Sequence, residues 1–447
     1  MGKVSTNSYS DERPIFLHKN INFLALIAVL FTTLFGWFNP NSWCIILLVV
    51  CRLLDGKPVT NIKTAFANRL FIVYFLLFLI GAAGYLYGHD LATQGKVMSK
   101  ECTLVAVAFV FCAGRFADQP GYRKLITSYS LLLLASSVYC LFVAWRNYLP
   151  EKNTNYFFYH TLTAPISQNA VFYSVYVLFG IVFLLSPYGE PVIGPLPRRG
   201  RQSLRYGLLL FFLGMMVLLS SRLMLVIMVL ILAGNFLRRY SFRKDRATFL
   251  IAGSLLLVAV GLLAVHDNPI RWRFREMADG DMTFVHRDKF NPDTHFSSLD
   301  SRLVQWRFAV EILNARHAWL FGVSPGDSQD LLDQKYVAAH MYVGNPADGP
   351  NRHIRGYLGF NFHDQYIETL ARSGLVGLAS LLAVFVALFA AASSAGVREA
   401  WIVILTLAIF FVPEAPLTLQ HGVFLFCFFP LLALNRPGPE KLPAKNS

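Results

Sequence analysis

Three short stretches of the 447-residue chain combine residue types that can handle an anion and a proton. The first is Ser220-Ser221-Arg222, set between two apolar blocks. A serine that N-caps the second block puts a helix N-terminus beside a guanidinium. Such an arrangement binds anions through free N–H groups, the positive helix end and the arginine fork. An arginine at a membrane surface is also an ordinary snorkelling anchor. The second stretch is Asp300-Ser301-Arg302-Leu303-Val304-Gln305-Trp306. Val304, Phe308, Ile312 and Ala315 recur at helical spacing, which predicts a helix over 301–316 with Asp300 as N-cap and Arg302 in the first turn. A single arginine in that place is commonly just solvated. The third runs Asn361-Phe362-His363-Asp364-Gln365-Tyr366 and on through Gly374. Asn361 is placed to cap a helix from Phe362, with His363 on the face of Ile367, Leu370 and Gly374. A histidine opening a helix where water meets lipid can take a proton from a hydroxyl, although a lone histidine is as often structural.

Other patterns carry less. Asp279-Gly280-Asp281 has the spacing that holds a divalent cation with nucleotide sugars, but two acids around a glycine are common by chance in a polar loop. The histidines show no HxH, HExxH or HxxxH pairing, so a zinc site is not expected. There is no Walker A, GxSxG or GxGxxG element. The six cysteines lie in or beside apolar blocks with no CxxC, so no disulfide framework is expected.

The elements that must position these residues are membrane helices. Hydrophobic types make up 55% of the chain and charged types 15%, with a mean hydropathy of +0.47. Soluble domains carry about 25% charged residues, so a soluble enzyme, a disordered chain and a nucleic-acid-binding domain are excluded as leading readings. Apolar blocks at 21–38, 42–54, 70–87, 101–113, 125–145, 170–185, 206–219, 223–237, 248–264, 374–393, 400–412 and 422–434 predict an all-α polytopic membrane protein of about twelve transmembrane helices. The first block reads as an uncleaved signal anchor, because no small-residue cleavage site follows it. With the N-terminus inside, the inner segments hold 23 of the 40 Lys and Arg, the short outer loops 5, and the segment 265–373 the other 12. Both termini are therefore expected in the cytoplasm. The excess of +14 is topology signal and says little about substrate. Residues 265–373 form one long outer segment between the ninth and tenth spans, with seven of the eleven histidines. Loops of that length are usually functional. The expected division is spans one to nine over 1–264, the loop domain over 265–373, and spans ten to twelve with a cytoplasmic tail over 374–447.

Taken in order, SSR between two spans, SRxxxW in the long loop, Gly322-Val323-Ser324-Pro325-Gly326, and HDQY with Gly374 and Gly377 resemble the O-antigen ligase family. That family also contains O-antigen polymerases and protein O-oligosaccharyltransferases of Gram-negative inner membranes. Asp364 stands where the family more commonly has asparagine. The resemblance implies a glycosyltransferase C-like fold and a multi-pass inner-membrane enzyme with a periplasmic site. It implies transfer of O-antigen glycan from undecaprenyl pyrophosphate to a sugar hydroxyl of lipid A–core oligosaccharide. By motif, Arg222 and Arg302 would bind the donor pyrophosphate and His363 would be the catalytic base, with Ser221, Ser301, Asp364 and Tyr366 as supporting residues. Two arginine forks can neutralise a pyrophosphate without metal, so no cofactor is expected. Direct attack at the anomeric carbon would invert it. The rival readings are the polymerase and the protein transferase of the same superfamily, and, from another class, a transporter or lipid flippase. Transporters carry polar or broken helices at mid-membrane, whereas here the ionisable residues cluster outside the spans.

Overall fold

The computed structural model describes residues 15–194, 196–240, 271, 282–344 and 356–437. Among the described residues the regular elements are α-helices and short 3-10 turns. The α-helices are α1 (Asn20–Leu34), α2 (Phe38–Leu53), α3 (Pro58–Ala67), α4 (Arg69–Ala82), α5 (Leu91–Cys112), α6 (Gln119–Glu151), α7 (Tyr159–Thr163) and α8 (Ala170–Leu185). They continue with α9 (Arg198–Leu219), α10 (Arg222–Arg239), α11 (Ser298–Arg316), α12 (Ser328–Ala338), α13 (Gln365–Ala395), α14 (Arg398–Phe410) and α15 (Gln420–Leu434). Eleven of the twelve predicted apolar blocks are helical. The twelfth, 248–264, and the Asp279-Gly280-Asp281 stretch lie outside the described residues.

By length and composition, Arg69–Leu86, α6, α9 and α13 can each cross a membrane, and Tyr159–Ile166 with Ala170–Leu185 forms a further apolar pair bent by 82°. Helices α1, α2 and α15 are apolar but shorter. Helix α15 is buried from His421 to Ala433, and α8 is buried nearly throughout. A helix apolar on every side belongs in the middle of a bundle, and these two lie there, joined where the Tyr176 hydroxyl donates to the His421 carbonyl at 3.0 Å. Helix α13 packs along α4, and α5 along both α4 and α15.

The polar segment has a small core of its own. Val304, Phe308 and Ile312 of α11 meet Leu332 and Tyr336 of α12, and this cluster rests on Phe362 and Ala371 at the head of α13. Helix α12 was not foreseen, because its sequence is polar and only Leu332 and Tyr336 mark its inner face. Helix α11 begins three residues earlier than expected. Ser297 is its N-cap and Asp300 the third helical residue, each side chain bonding the other's backbone N–H in a capping box. Arg302 therefore sits in the second turn. The cap of α13 is likewise Asp364 and not Asn361, the carboxylate accepting from Ile367 N at 2.9 Å.

Helix α13 is broken at Gly374, which has φ 65° and ψ −163°. That conformation is essentially reserved for glycine. The backbone groups released by the break are taken up by the 319–324 stretch. Val323 N donates to Ala371 O at 2.9 Å and Ser324 N to Arg372 O at 3.1 Å. Leu375 N donates to Trp319 O at 2.8 Å and Val376 N to Leu320 O at 3.2 Å. A break at the edge of an apolar span survives only when its groups are satisfied in this way. The approach is too close for side chains: a Cβ on Gly322 would stand 2.4 Å from Arg372 C, and one on Gly374 2.3 Å from Leu320 C.

Candidate functional site

The N-terminus of α10, the second turn of α11 and the turn ahead of α13 converge. Arg222 is the first residue of α10. Ser221 occupies the N-cap position but makes no side-chain cap bond, and Ser220 closes α9 in the left-handed region at φ 50°. The Arg222 guanidinium donates through Nη2 to Ser298 Oγ at 3.2 Å.

Arg302 reaches the same oxygen. Side chains on a helix lean toward its N-terminus, so Arg302 lies back over the first turn of α11. There Nη1 donates to Ser298 Oγ at 2.6 Å and to Ser298 O at 2.9 Å. Its Nε donates to Pro413 O at 3.1 Å, and its Nη2 stands 3.6 Å from Glu414 Oε1. One hydroxyl thus accepts from two guanidinium groups that are eighty residues apart in sequence.

Glu414 joins the histidine to this pair. Its second oxygen lies 3.9 Å from His363 Nδ1, which is a charge contact and too long for a hydrogen bond. His363 Nδ1 is buried and has no hydrogen-bond partner. The residue itself is in the left-handed region at φ 49°, which is uncommon for a side-chain-bearing residue.

The four supporting candidates fall in different places. Asp364 is next to His363 and caps α13, and its side chain is buried. Burial pushes its carboxyl up to about 6, against the pull of backbone N–H bonds from Ile367 and Tyr366, with Glu368 adding to the rise. Ser221 is buried beside Arg222. Ser301 turns its hydroxyl to Ser298 O at 3.4 Å. Tyr366 points along the bundle, where its hydroxyl donates to Ala408 O at 2.8 Å.

Sequence reasoning missed Ser298 and Glu414. Ser298 was masked by the misplaced start of α11. Glu414 follows Pro413 in the loop from α14 to α15, far from every motif. An isolated acid between prolines at a span end was the available signal. The same loop ties down the rest of the site: Leu417 N donates to Gln365 Oε1 at 2.7 Å, and Asn361 Nδ2 to Thr418 Oγ1 at 3.2 Å.

Chemically, two fixed cations, a helix N-terminus, a carboxylate and an imidazole stand together. Such a set can hold a polyanion, accept a proton and steady the cation that results. Among the described residues, no group of three or more His, Cys, Asp or Glu could hold a metal ion. No curated protein matches the chain. Residues 207–382 match the family model described as O-Antigen ligase; Arg222, Arg302 and His363 fall inside the match, while Glu414 lies beyond it.

Proposed function

Because residues 207–382 match the family model described as O-Antigen ligase, we propose that this protein is a membrane glycosyltransferase. In this reading it moves O-antigen glycan from undecaprenyl pyrophosphate to a sugar hydroxyl of lipid A–core oligosaccharide at the periplasmic face of the inner membrane. The observation that supports it best is the convergence of Arg222, Arg302 and His363 through the two bridging side chains Ser298 and Glu414.

The reaction breaks the bond between the anomeric carbon and the pyrophosphate oxygen and forms one to the acceptor oxygen. Negative charge grows on the departing pyrophosphate. Arg222, Arg302 and the N-terminus of α10 receive it, so no strong general acid is required. The acceptor hydroxyl loses its proton to His363 during attack. With Nδ1 facing Glu414, Nε2 is the nitrogen presented to the hydroxyl. Glu414 stabilises the imidazolium that forms, and its 3.9 Å contact shortens once that charge appears. Attack from the face opposite the leaving group inverts the anomeric centre.

Purified protein with defined lipid-linked donor and lipid A–core acceptor tests the reading. The expected product is glycosylated lipid A–core of inverted configuration, lost in Arg222→Ala, Arg302→Ala and His363→Ala proteins that still insert and fold. Extension of the lipid-linked glycan itself would identify a polymerase instead, and a glycosylated serine in an added acceptor protein would identify the protein transferase. Full activity of the His363→Ala variant would remove the base assignment.

A further inference from the structure

The peptide that leads into His363 is gripped from both sides. Phe362 is fully buried. Its N–H donates to Glu368 Oε2 at 3.2 Å, and its carbonyl accepts from Trp306 Nε1 at 3.1 Å. The following N–H, that of His363, donates to Asn361 Oδ1 at 2.9 Å. Glu368 spends its other oxygen on Arg372, 2.6 Å from Nη2, and the two side chains are 2% and 10% exposed.

Two physical considerations single this arrangement out. A buried ion pair is a poor way to gain stability, because desolvation offsets most of the attraction and apolar replacements often do as well. A left-handed backbone at a histidine is strained and persists only where the surroundings over-determine it. Here the surroundings do so: the N–H and C=O of Phe362, in the two successive peptides that lead into His363, are each fixed by a side chain from a different helix. The anchor of the grip is fixed as well, since Arg372 O accepts from Ser324 N at the break in α13.

We propose that Glu368 and Trp306 are positioning residues that set the direction of the His363 imidazole, with Arg372 holding the Glu368 side chain in place through their ion pair. Neither side chain touches the reacting atoms. The pair works by fixing the 362–363 backbone in the left-handed turn that turns Nδ1 to Glu414 and leaves Nε2 for the acceptor hydroxyl. The inference rests on the reading of His363 as the base.

The test uses the full-length protein in lipid, with the lipid-linked donor and lipid A–core acceptor. Trp306→Phe keeps an aromatic ring, smaller than the indole, and removes the N–H donor, while Glu368→Gln keeps an acceptor for Phe362 N–H and removes the negative charge that pairs with Arg372. Each is expected to lower kcat by about ten- to a hundredfold, the scale of loss from a misplacement near 1 Å, with the donor KM changed less than about twofold. The double variant should lose much less than the product of the single losses, because both side chains hold one residue, Phe362. In a His363→Ala background, assayed at raised enzyme concentration, Glu368→Gln should change the residual rate by less than about twofold. A purely structural role predicts the opposite, the same factor lost with or without His363, and that result overturns the proposal. Wild-type kcat in both single variants, with the His363→Ala variant strongly impaired, also overturns it while leaving the base reading intact. Wild-type kcat in His363→Ala defeats the base reading itself.

Discussion

At the scale of residues, the site depends on two side chains that no motif marks. Ser298 Oγ is the shared acceptor of both guanidinium groups. Its loss leaves each arginine short of a bond, and hydrogen bonds to charged groups are worth about 1.5–3 kcal/mol each. Ser298→Ala is therefore expected to raise the donor KM by about tenfold, equivalent to about 1.4 kcal/mol, with a smaller effect on kcat. Titration of donor concentration in initial-rate assays measures both. In the proposed mechanism Glu414 acts at a different step. It contacts Arg302 and His363 at once, so Glu414→Gln keeps the shape and removes the counter-charge of the imidazolium. A fall in kcat of about a hundredfold is expected, the lower range for loss of an acid–base partner, with little change in donor KM. A KM effect alone would place Glu414 in donor binding and not in proton transfer. The three motif residues, Arg222, Arg302 and His363, stood out in sequence because arginine and histidine at helix starts carry a chemical meaning. The bridging residues were not, since a serine beside a capping serine and a lone glutamate after a proline resemble ordinary loop chemistry until the chain is folded.

At the scale of elements, the break in α13 decides how the site meets the bundle. The sequence predicts one continuous helix from Phe362 into the span that starts at 374; the helix is there, but it is broken at Gly374, which the apolar pattern does not show. What pattern could not show is the clamp by 319–324, a pairing of backbone groups about fifty residues apart. Gly374→Ala places a side chain in a backbone region reserved for glycine and against the Leu320 carbonyl. A destabilisation of about 3 kcal/mol or more is expected, seen as a lower Tm with activity falling in parallel; an unchanged Tm would mean the clamp is dispensable. The cap of the same helix makes a pH-dependent contribution. Burial raises the Asp364 carboxyl to about 6, so the folded protein favours the protonated form. Below the ordinary carboxyl value of about 3.9 both folded and unfolded chains are protonated and there is no penalty. As pH rises from there to about 6 the penalty grows, and above that it is constant. Asp364→Asn removes the titration and keeps a good N-cap. The variant should gain Tm over the wild type at pH 7.5 and lose that gain toward pH 4. An equal gain at both values would show that the carboxyl does not titrate in this range.

At the scale of the whole molecule, charge is divided by function. In the proposed topology the basic excess of +14 lies in the inner segments and serves orientation, with the arginines of the site placed singly on the outer side. That division bears on the role of metal. Enzymes that cleave a sugar from a diphosphate must neutralise the leaving group, by a divalent cation or by fixed cations of the protein. Arg222 and Arg302 are already brought to one oxygen, and Arg302 is further held by Pro413 O and Glu414. In the proposed transfer, such preorganisation spares the reorganisation cost at the moment of bond breaking and takes the place of a cation. Transfer is therefore expected to persist in strong chelator at close to its full rate, and to fall with rising salt as the arginine–pyrophosphate attraction is screened. The Asp279-Gly280-Asp281 stretch supplies the sharpest control. If the double variant Asp279→Asn, Asp281→Asn matches the wild type, and chelator leaves both unchanged, the arginines alone carry the leaving-group charge. Loss of activity in chelator that Mg²⁺ or Mn²⁺ restores in the wild type, but not in the double variant, would assign the metal to that acidic pair and demote the arginines to docking the donor.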